Sequence, residues 1–325
     1  MKILIYSHSK DIDGLGAVVL AKLAFKEIDY ELFPSPKELN DKVIEDIKNH
    51  KYDEYDRVYI TDLTLPDPAI SYVEYHAKDK VRVFDHHHTA ILNNYHLYDF
   101  CTIRVNDKDG TLTCGTRLFY EYLTLNGLLE PTPSINDFVE KVRLEDTWDW
   151  KKSPEGAKAH DLSILHSELG NEKFLSHMLD TLQNKEEFFL SLEDEQTIKN
   201  KKETTERVLN QLLSEMEYFT DEDNNKFGMV FSTHEYVNDL AQRIRDLNNP
   251  NQLEYIIVVC LDSSSRSYRS MDYNNFNVAK IAVSHGGGGQ FGAAGAGLNE
   301  EHKNKILTMN KRDSLAYLAK VKYQD

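Results

Sequence analysis

The sequence is poor in cysteine: three cysteines stand in 325 residues, Cys101, Cys114 and Cys260. No two of them form a C-x-x-C pair, so neither a disulfide framework nor a structural zinc site is expected. The amino terminus has only a short apolar run, residues 1–6, which is too short for the core of a signal peptide. These absences favour the cytoplasm as the compartment of the protein.

Long apolar runs are also absent, since no stretch approaches the roughly 20 residues that a membrane helix needs. Positive charge is scarce: 38 Lys and Arg stand against 54 Asp and Glu, which gives a formal net charge of −16 at pH 7. Binding of duplex nucleic acid depends on an excess of basic residues, so neither duplex DNA nor a membrane is an expected partner. A phosphate-bearing substrate would need cations at its site, and bound metal ions are one source of them.

Apolar residues are present in ordinary amounts, 40% of the chain with 10% aromatics, which excludes wholesale disorder. The length favours two domains. Residues 1–152 alternate short β-branched runs with segments of helical spacing, which predicts an α/β domain with a parallel sheet and helices on both faces. Residues 153–225 are typical of a helical connector, with one long amphipathic helix predicted over 193–219. Residues 226–325 predict a second, smaller α/β domain.

Acidic residues and histidines cluster after three predicted strands, which end near Tyr6, Thr61 and Phe84. Ligands of open α/β sheets bind outside the carboxyl ends of the strands, so these side chains are expected to converge. A fourth acidic stretch lies near the end of the first domain. The four motifs are S-H-S-K-D-I-D-G (7–14), I-T-D-L (60–63), F-D-H-H-H-T (84–89) and L-E-D-T-W-D-W (144–150).

The donor groups in these motifs are carboxylates and imidazoles without thiolates, which suit Mn²⁺ or Mg²⁺ better than structural zinc. A lone Asp after a strand is most often a helix cap or a turn residue, so Asp62 by itself would indicate little. The ordered series of motifs is what predicts a site for two divalent ions. Such ions, about 3.5–4 Å apart, can clamp a phosphoryl group and activate water.

The four motifs resemble those of the DHH phosphoesterase family, which includes the class II inorganic pyrophosphatases and the exonuclease RecJ. The resemblance implies a site for two divalent cations, usually Mn²⁺, with Mg²⁺ as the alternative. It assigns His8, Asp11 and Asp62 to one ion, and Asp13, Asp62, His86 and Asp146 to the other, so that Asp62 bridges them. Asp149 competes with Asp146 in the fourth motif, and we prefer Asp146 because D-T follows the family pattern there.

The motif F-D-H-H-H-T also predicts residues that act on the substrate. A histidine ligand usually needs its other ring nitrogen held by a partner, and Asp85 is positioned to do that. The resemblance places His87 against the substrate phosphate, whereas His88 is typical of a solvated loop. Asp62, Asp85 and His87 are therefore the expected catalytic residues.

The second domain contains S-R-S-Y-R-S (265–270) and S-H-G-G-G-G-Q-F-G-A-A-G (284–295). Arginine forms forked hydrogen bonds to phosphate, and glycines let backbone N–H groups approach an anion, although a flexible turn explains a glycine run equally well. The stretch resembles the substrate-binding, DHH-associated C-terminal domain. The residues that match its motifs are Arg269, Ser270, Gly287, Gly288 and Gly289. Gln290 replaces the usual His of that family and is expected to contact substrate without carrying positive charge.

Within the family, the likeness is nearest to the oligoribonuclease (nano-RNase) type and spans nearly the whole chain. It implies a manganese-dependent phosphodiesterase or exoribonuclease that hydrolyses short RNA or DNA oligonucleotides or dinucleotides to 5′-mononucleotides. The alternative is the same chemistry on cyclic nucleotides, linear dinucleotides or 3′-phosphoadenosine 5′-phosphate. A third interpretation is a degenerate, nucleotide-binding member without activity. A homodimer through helices of the first domain is compatible with the sequence.

Overall fold

The chain, described by a computed structural model over residues 1–152 and 154–321, divides into two compact units, Met1–Lys199 and Asn200–Asp325. The α/β class is confirmed, because a parallel sheet forms in the first unit and a mixed sheet forms in the second. The division at 152 and 225 into catalytic domain, connector and substrate domain stays a prediction. Among the described residues, no helix is long and apolar enough to cross a membrane.

The first unit is built on a parallel five-stranded sheet of order β2-β1-β3-β4-β5. Its strands are β1 (Lys2–His8), β2 (Glu27–Phe33), β3 (Arg57–Thr61), β4 (Val81–Asp85) and β5 (Cys101–Ile103). Strands β1, β3 and β4 end within two residues of Tyr6, Thr61 and Phe84, where the sequence predicts strand ends, because β-branched and aromatic side chains fill these strands. The edge strand β5, which has three residues, was not predicted.

Helices cover both faces of this sheet. They are α1 (Ile12–Ala24), α2 (Pro36–Lys48), α3 (Ala69–His76), α4 (His88–Leu92), α5 (Gly115–Leu125), α6 (Pro133–Asp146) and α7 (Pro154–Thr181). Successive side chains of β1 point to opposite faces, so Ile3 and Ile5 join a core with α1, α5, α6 and α7, while Leu4 and Tyr6 join a core with α2 and α3. Because both faces are buried, the loops at the strand ends are where polar residues gather.

Two predicted helices end earlier than expected. The sequence of residues 134–150 favours one helix, but α6 ends at Asp146, because Trp148 adopts a left-handed backbone conformation at φ 61°. The helix predicted over 193–219 is α8 (Leu192–Glu215), and the residues after it form strand β6 (Glu217–Thr220). The hydrogen bonds of β6 go to the neighbouring strand β7, so pairing with the sheet overrides the helical pattern there.

The second unit has a six-stranded sheet of order β10-β11-β9-β8-β7-β6, in which only β7 and β8 pair in parallel. Its further strands are β7 (Lys226–Ser232), β8 (Tyr255–Cys260), β9 (Ser265–Ser270), β10 (Gly288–Gly289) and β11 (Ala293–Gly297). Its helices are α9 (Val237–Asp246), α10 (Val278–Ser284), α11 (Glu300–Ile306) and α12 (Lys311–Leu318). Part of the glycine run is thus the short strand β10 rather than a flexible turn.

Candidate metal centre

The carboxyl ends of β1, β3 and β4 bring the first three motifs together, and the end of α6 adds the fourth. Within the described part of the chain, three groups of side chains have donor atoms that all lie within 4.8 Å of one another. The groups are His8, Asp11 and Asp62; Asp13, His86 and Asp146; and Asp62, His86 and His87. Every residue that the sequence assigned to a metal ion therefore lies in one of these groups.

Asp62 lies between two of the groups and directs one carboxylate oxygen to each. Its Oδ2 lies 3.4 Å from Nδ1 of His8, and its Oδ1 lies 3.3 Å from Nε2 of His86. The residue is 2% exposed and holds a left-handed backbone conformation at φ 55°, directly after β3. Such strained conformations persist where the surroundings enforce them, often at functional sites. A carboxylate in this position can serve two cations at once.

The group around His8 is positioned by the start of α1. Nδ1 of His8 lies 2.6 Å from Oδ2 of Asp11, and Oδ1 of Asp11 accepts a hydrogen bond of 3.1 Å from the Gly14 backbone N–H. Asp11 is thus the N-cap of α1 as well as a neighbour of His8. A Cβ at position 14 would collide with the His8 carbonyl group, so glycine is needed for this close approach.

The group around His86 includes the fully buried carboxylate of Asp13. Backbone N–H groups of Gly115 and Thr116, at the start of α5, each donate a hydrogen bond of 2.7 Å to Asp13. The partial positive charge of a helix N-terminus favours such an anion. Nε2 of His86 lies 3.7 Å from Oδ2 of Asp13 and 3.5 Å from Oδ2 of Asp146. One imidazole nitrogen therefore faces two carboxylates.

The two acids of the fourth motif have different partners. Asp146 faces His86, whereas Oδ2 of Asp149 lies 3.1 Å from Arg143 and its Oδ1 lies 2.5 Å from Lys152. The basic side chains of Arg143 and Lys152 therefore neutralise the carboxylate of Asp149. Asp146, and not Asp149, therefore lies among the grouped donor atoms, and its role as a metal ligand stays a prediction.

Crowding of carboxylates shifts several pKa values in this centre. Burial and the charges of Asp13 and Asp11 raise the pKa of Asp62 well above its usual value. Burial and the charge of Asp13 also raise the pKa of Asp146 to about 7. Burial lowers the pKa of His8, but its contacts with Asp11 and Asp62 outweigh burial and raise it to about 10. The centre thus holds excess negative charge that a cation would offset.

Four buried donor atoms test whether the centre fits metal ions. Nδ1 of His8, Oδ2 of Asp62, Nε2 of His86 and Oδ2 of Asp146 are buried and make no hydrogen bond within the described residues, although they lie close to one another. Buried polar atoms are rarely left without a partner, and each such atom calls for an explanation. Oxygen and imidazole donors that converge without bonding to each other suit hard or borderline divalent cations.

His87 and Asp85 form a separate pair beside these groups. Nδ1 of the half-exposed His87 ring lies 2.6 Å from Oδ1 of the fully buried Asp85. Asp85 also accepts hydrogen bonds from the His86 backbone N–H, at 2.8 Å, and from the Thr64 hydroxyl, at 2.7 Å. Burial raises the pKa of Asp85, but the bond with His87 outweighs it and lowers the pKa. Asp85 therefore holds the ring of His87, and holds His86 only through its backbone.

The second unit places Arg269 near the glycine-rich segment. Arg269 on β9 pairs with Ala293 on β11, and β11 pairs with Gly288 and Gly289 on β10. Nε of Arg269 donates a hydrogen bond of 2.9 Å to the side chain of Asn238. The guanidinium group is therefore fixed in orientation, one strand away from the glycines.

The neighbouring predicted residues differ in exposure. Ser270 is fully buried, and its hydroxyl donates a hydrogen bond of 2.7 Å to the Asp272 carbonyl oxygen. Gly288, Gly289 and Gln290 are exposed, and Gly287 is half-buried against β11. Within this set, the exposed glycines, Gln290 and Arg269 are the groups that a ligand can reach.

Comparison with known proteins identifies the family. Residues 2–142 match the family described as DHH family, N-terminal domain. The oligoribonuclease NrnB of Bacillus subtilis (strain 168) is 33% identical over 304 residues, which cover 91% of this chain and 73% of that protein. The chain belongs to the DHH family. It is a phosphoesterase, a hydrolase that acts on phosphoester bonds, as the motifs predicted.

Solved structures share the fold of this DHH-family enzyme. The pGpG-specific phosphodiesterase PggH from Vibrio cholerae matches with a TM-score of 0.55 and 15% identity, over 97% of this chain and 99% of that one. The exonuclease RecJ bound to manganese matches with a TM-score of 0.50 and 14% identity, over 98% of this chain and 90% of that one. At such low identity, the likeness shows the fold alone.

The sequence did not reveal several residues that shape the centre of the DHH-family enzyme. Gly115 is one, because a Cβ there would lie 2.8 Å from the Cβ of Asp62. Thr116 and Thr64 are others, since they bond to Asp13 and Asp85. The Gly-Thr pair at the start of α5 could have indicated a binding site for the Asp13 carboxylate, because backbone N–H groups at a helix start bind anions.

Proposed function

We propose that this DHH-family enzyme holds two divalent cations and hydrolyses the phosphodiester bonds of short oligonucleotides to 5′-mononucleotides. The position of Asp62 between two donor groups is the observation that carries the proposal. One ion would be held by His8, Asp11 and Asp62, and the other by Asp13, Asp62, His86 and Asp146. The oligonucleotide substrate is proposed from the 33% identity to an oligoribonuclease.

Mn²⁺ is the cation that we propose, with Mg²⁺ as the alternative, because the donors are carboxylate oxygens and imidazole nitrogens. Bound cations would supply Lewis-acid polarisation of the phosphoryl group and lower the pKa of bound water. The chain contributes the arrangement of the ligands. Asp13 is held by two backbone N–H groups of α5, and Asp11 is held by the start of α1.

His87 is proposed to contact the phosphate of the substrate. Asp85 engages Nδ1 of His87, so the contact would use Nε2 on the half-exposed side of the ring. The hydrogen bond to Asp85 fixes the ring orientation, which favours a single direction for the N–H at Nε2. His87 would thus orient a phosphoryl oxygen or the leaving oxygen, and Asp85 would act by positioning His87.

In the second unit, we propose that Arg269 and the glycine-rich segment bind a further phosphate or the end of the substrate. Arg269 supplies a guanidinium group, the exposed Gly288 and Gly289 supply backbone N–H groups, and Gln290 supplies an amide. Gly287 and Ser270 would support these groups from within the fold.

The net charge of the chain favours a short substrate. The net charge of −16 opposes the binding of long polynucleotides, because their affinity depends on many contacts between phosphates and basic residues. A dinucleotide or short oligonucleotide needs few such contacts. The substrate class is therefore proposed to be oligonucleotides of a few residues.

The direct test follows the hydrolysis of a 5′-labelled RNA of five residues with Mn²⁺, with Mg²⁺ and with a chelator. We expect a ladder that shortens by single nucleotides with a divalent cation and no cleavage with the chelator. The Asp62→Ala variant should be inactive under all conditions. An untouched pentamer with rapid hydrolysis of 3′-phosphoadenosine 5′-phosphate or a cyclic nucleotide would contradict the oligonucleotide assignment. Unchanged hydrolysis by Asp62→Ala would contradict the bimetal mechanism.

A further inference from the structure

The segment that follows α6 exposes an aromatic side chain two residues beyond a proposed metal ligand. Trp148 comes two residues after Asp146, and its side chain is 58% exposed. Two residues of chain span at most about 7 Å, so the backbone of Trp148 lies close to a proposed metal ligand. Tryptophan side chains are usually mostly buried, so an exposed indole at this position needs an explanation.

The backbone holds Trp148 in this position. Its φ of 61° is in the left-handed region, where a bulky residue is a rare outlier. The Trp148 backbone N–H donates a hydrogen bond of 3.1 Å to the Glu145 carbonyl oxygen at the end of α6. Strained residues of this kind persist when neighbouring contacts enforce them, and they cluster at sites that bind ligands.

Neighbouring side chains hold this segment, while Trp148 keeps more than half of its surface exposed beside the ring of Trp150, with ring centroids 6.4 Å apart. Trp150 stacks on His160 of α7, with ring centroids 4.2 Å apart and an angle of 8° between the planes. Asp149 pairs with Arg143 of α6 at 3.1 Å. These contacts fix the residues on the carboxyl side of Trp148. The indole of Trp148 is therefore displayed on a rigid segment rather than on a loose loop.

The ammonium group of Lys151 lies over the indole ring of Trp148. Nζ of Lys151 is 4.5 Å from the ring centroid of Trp148 and 5.2 Å from that of Trp150. The contact helps to fix the orientation of the Trp148 ring, and it places positive charge beside an exposed aromatic surface. An aromatic surface with an adjacent cation is the combination by which proteins bind the bases and phosphates of single-stranded nucleic acids.

We propose that Trp148 is a stacking surface for a nucleobase of the substrate whose phosphodiester lies at the metal centre, with Lys151 near the phosphate or sugar of that nucleotide. The inference rests on the proposed function and extends it from the phosphodiester to the base. Because every base has a π-face, a stacking surface selects nucleotides over other phosphoesters without selecting one base. Trp148 is thus a specificity-determining residue for nucleotide substrates.

Kinetics on two matched substrates test the assignment. The first substrate is a dinucleotide, and the second is its abasic analogue, which keeps the phosphodiester and loses the bases. We expect Trp148→Ala to lower kcat/KM for the dinucleotide by about 5- to 150-fold, which is the range for loss of one stacked base. Trp148→Phe should recover most of the loss, and hydrolysis of the abasic analogue should change little.

Tyr75 offers a matched control, because it is an 83% exposed aromatic at the end of α3 and lies outside the metal centre. Tyr75→Ala should leave both substrates unaffected. Equal losses on both substrates with Trp148→Ala, or no loss on either, would overturn the stacking role while the proposed function stands. A different result would contradict the proposed function itself, namely hydrolysis of the dinucleotide by Asp62→Ala.

Fluorescence gives a second measurement that needs no turnover, because Trp148 and Trp150 are the two tryptophans of the chain. In Trp150→Phe, a 5′-mononucleotide should quench the emission of Trp148 with a saturable dependence on concentration. Ribose 5-phosphate should not quench it, and Trp148→Phe should show no saturable quenching with either compound. Equal quenching by both compounds, absence of quenching in Trp150→Phe, or equal quenching in the two variants would contradict the inference.

Discussion

Asp146 and Asp149, three residues apart in one motif, have opposite electrostatic surroundings. The carboxylate of Asp146 faces His86 and is close to other acids, so burial and Asp13 raise its pKa to about 7. Asp149 lies between Lys152 and Arg143, and its bonds to them lower its pKa. A carboxylate surrounded by other carboxylates is suited to a cation from solution, whereas one paired with two basic side chains is already neutralised.

This difference predicts different activities for two single substitutions. Asp146→Asn should lower kcat by at least about a hundredfold, because weaker metal binding removes several kcal/mol of transition-state stabilisation. Asp149→Asn should change kcat by less than about fivefold, since Asp149 does not face His86 and an Asn amide oxygen can still accept a hydrogen bond from Arg143. Steady-state hydrolysis of a short oligonucleotide with Mn²⁺ measures both. The reverse order of activities would show that Asp149 is the ligand.

At the scale of a single helix, two reciprocal hydrogen bonds between Ser191 and Asp194 fix the start of α8. The Ser191 backbone N–H donates a hydrogen bond of 2.8 Å to Oδ2 of Asp194, and the Asp194 backbone N–H donates one of 3.2 Å to the Ser191 hydroxyl. This is the capping-box arrangement, with Asp in place of the usual Glu. His177 of α7 lies 2.8 Å from the same carboxylate oxygen, so the cap also connects two helices.

The cap predicts a pH-dependent contribution to stability. Burial raises the pKa of Asp194, but its bonds with Ser191 and His177 outweigh burial and lower the pKa below its usual value. A lowered carboxyl pKa adds stability above the unfolded-state value, and this stability is lost as the pH falls through the folded-state pKa. Asp194→Ala should therefore lower the free energy of unfolding by about 1–3 kcal/mol near neutral pH, and by less below about pH 4.

Urea unfolding of the wild type and the variant over this pH range measures the difference. Asp194→Asn is the matched control, because it keeps the shape and one acceptor oxygen while it removes the charge. It should lose less stability than Asp194→Ala near neutral pH. A destabilisation that stays constant from neutral to acidic pH would show that the charge of Asp194 does not contribute.

The predictable elements are those in which a local pattern and the tertiary contacts agree. Strand β3 could be predicted because its β-branched and aromatic run is also buried on both faces of the sheet. Strand β11 (Ala293–Gly297) could not, because its small residues have low strand propensity and it forms through pairing with β9. Strand β6 could not be predicted either, because a helical pattern runs into it and only its pairing with β7 makes it a strand.

The same distinction applies to the candidate site. Its acids and histidines could be predicted because strand ends of a parallel sheet meet at one edge. The roles of Gly14 and Gly115 depend on close approaches to His8 and Asp62, which only the folded chain defines. The bond between Asp85 and His87, rather than between Asp85 and the ring of His86, likewise depends on side-chain geometry.

At the scale of the whole molecule, the charge of the chain and the chemistry of its centre are connected. A net charge of −16 repels a phosphate substrate unless positive charge is concentrated where the phosphate binds. The first unit offers a group of carboxylates that can collect divalent cations, and the second unit offers Arg269 and exposed glycines. The acidic surface thereby disfavours long nucleic acids, while local sites remain able to bind a short, anionic substrate.

Anomalous diffraction from crystals soaked in Mn²⁺ tests the central claim most directly. We predict two manganese peaks about 3.5–4 Å apart in the first unit, with Asp62 bound to both. The ligands of the first peak should include His8 and Asp11, and those of the second should include Asp13, His86 and Asp146. A single peak, or two peaks that do not share Asp62, would contradict a bimetal centre at these residues.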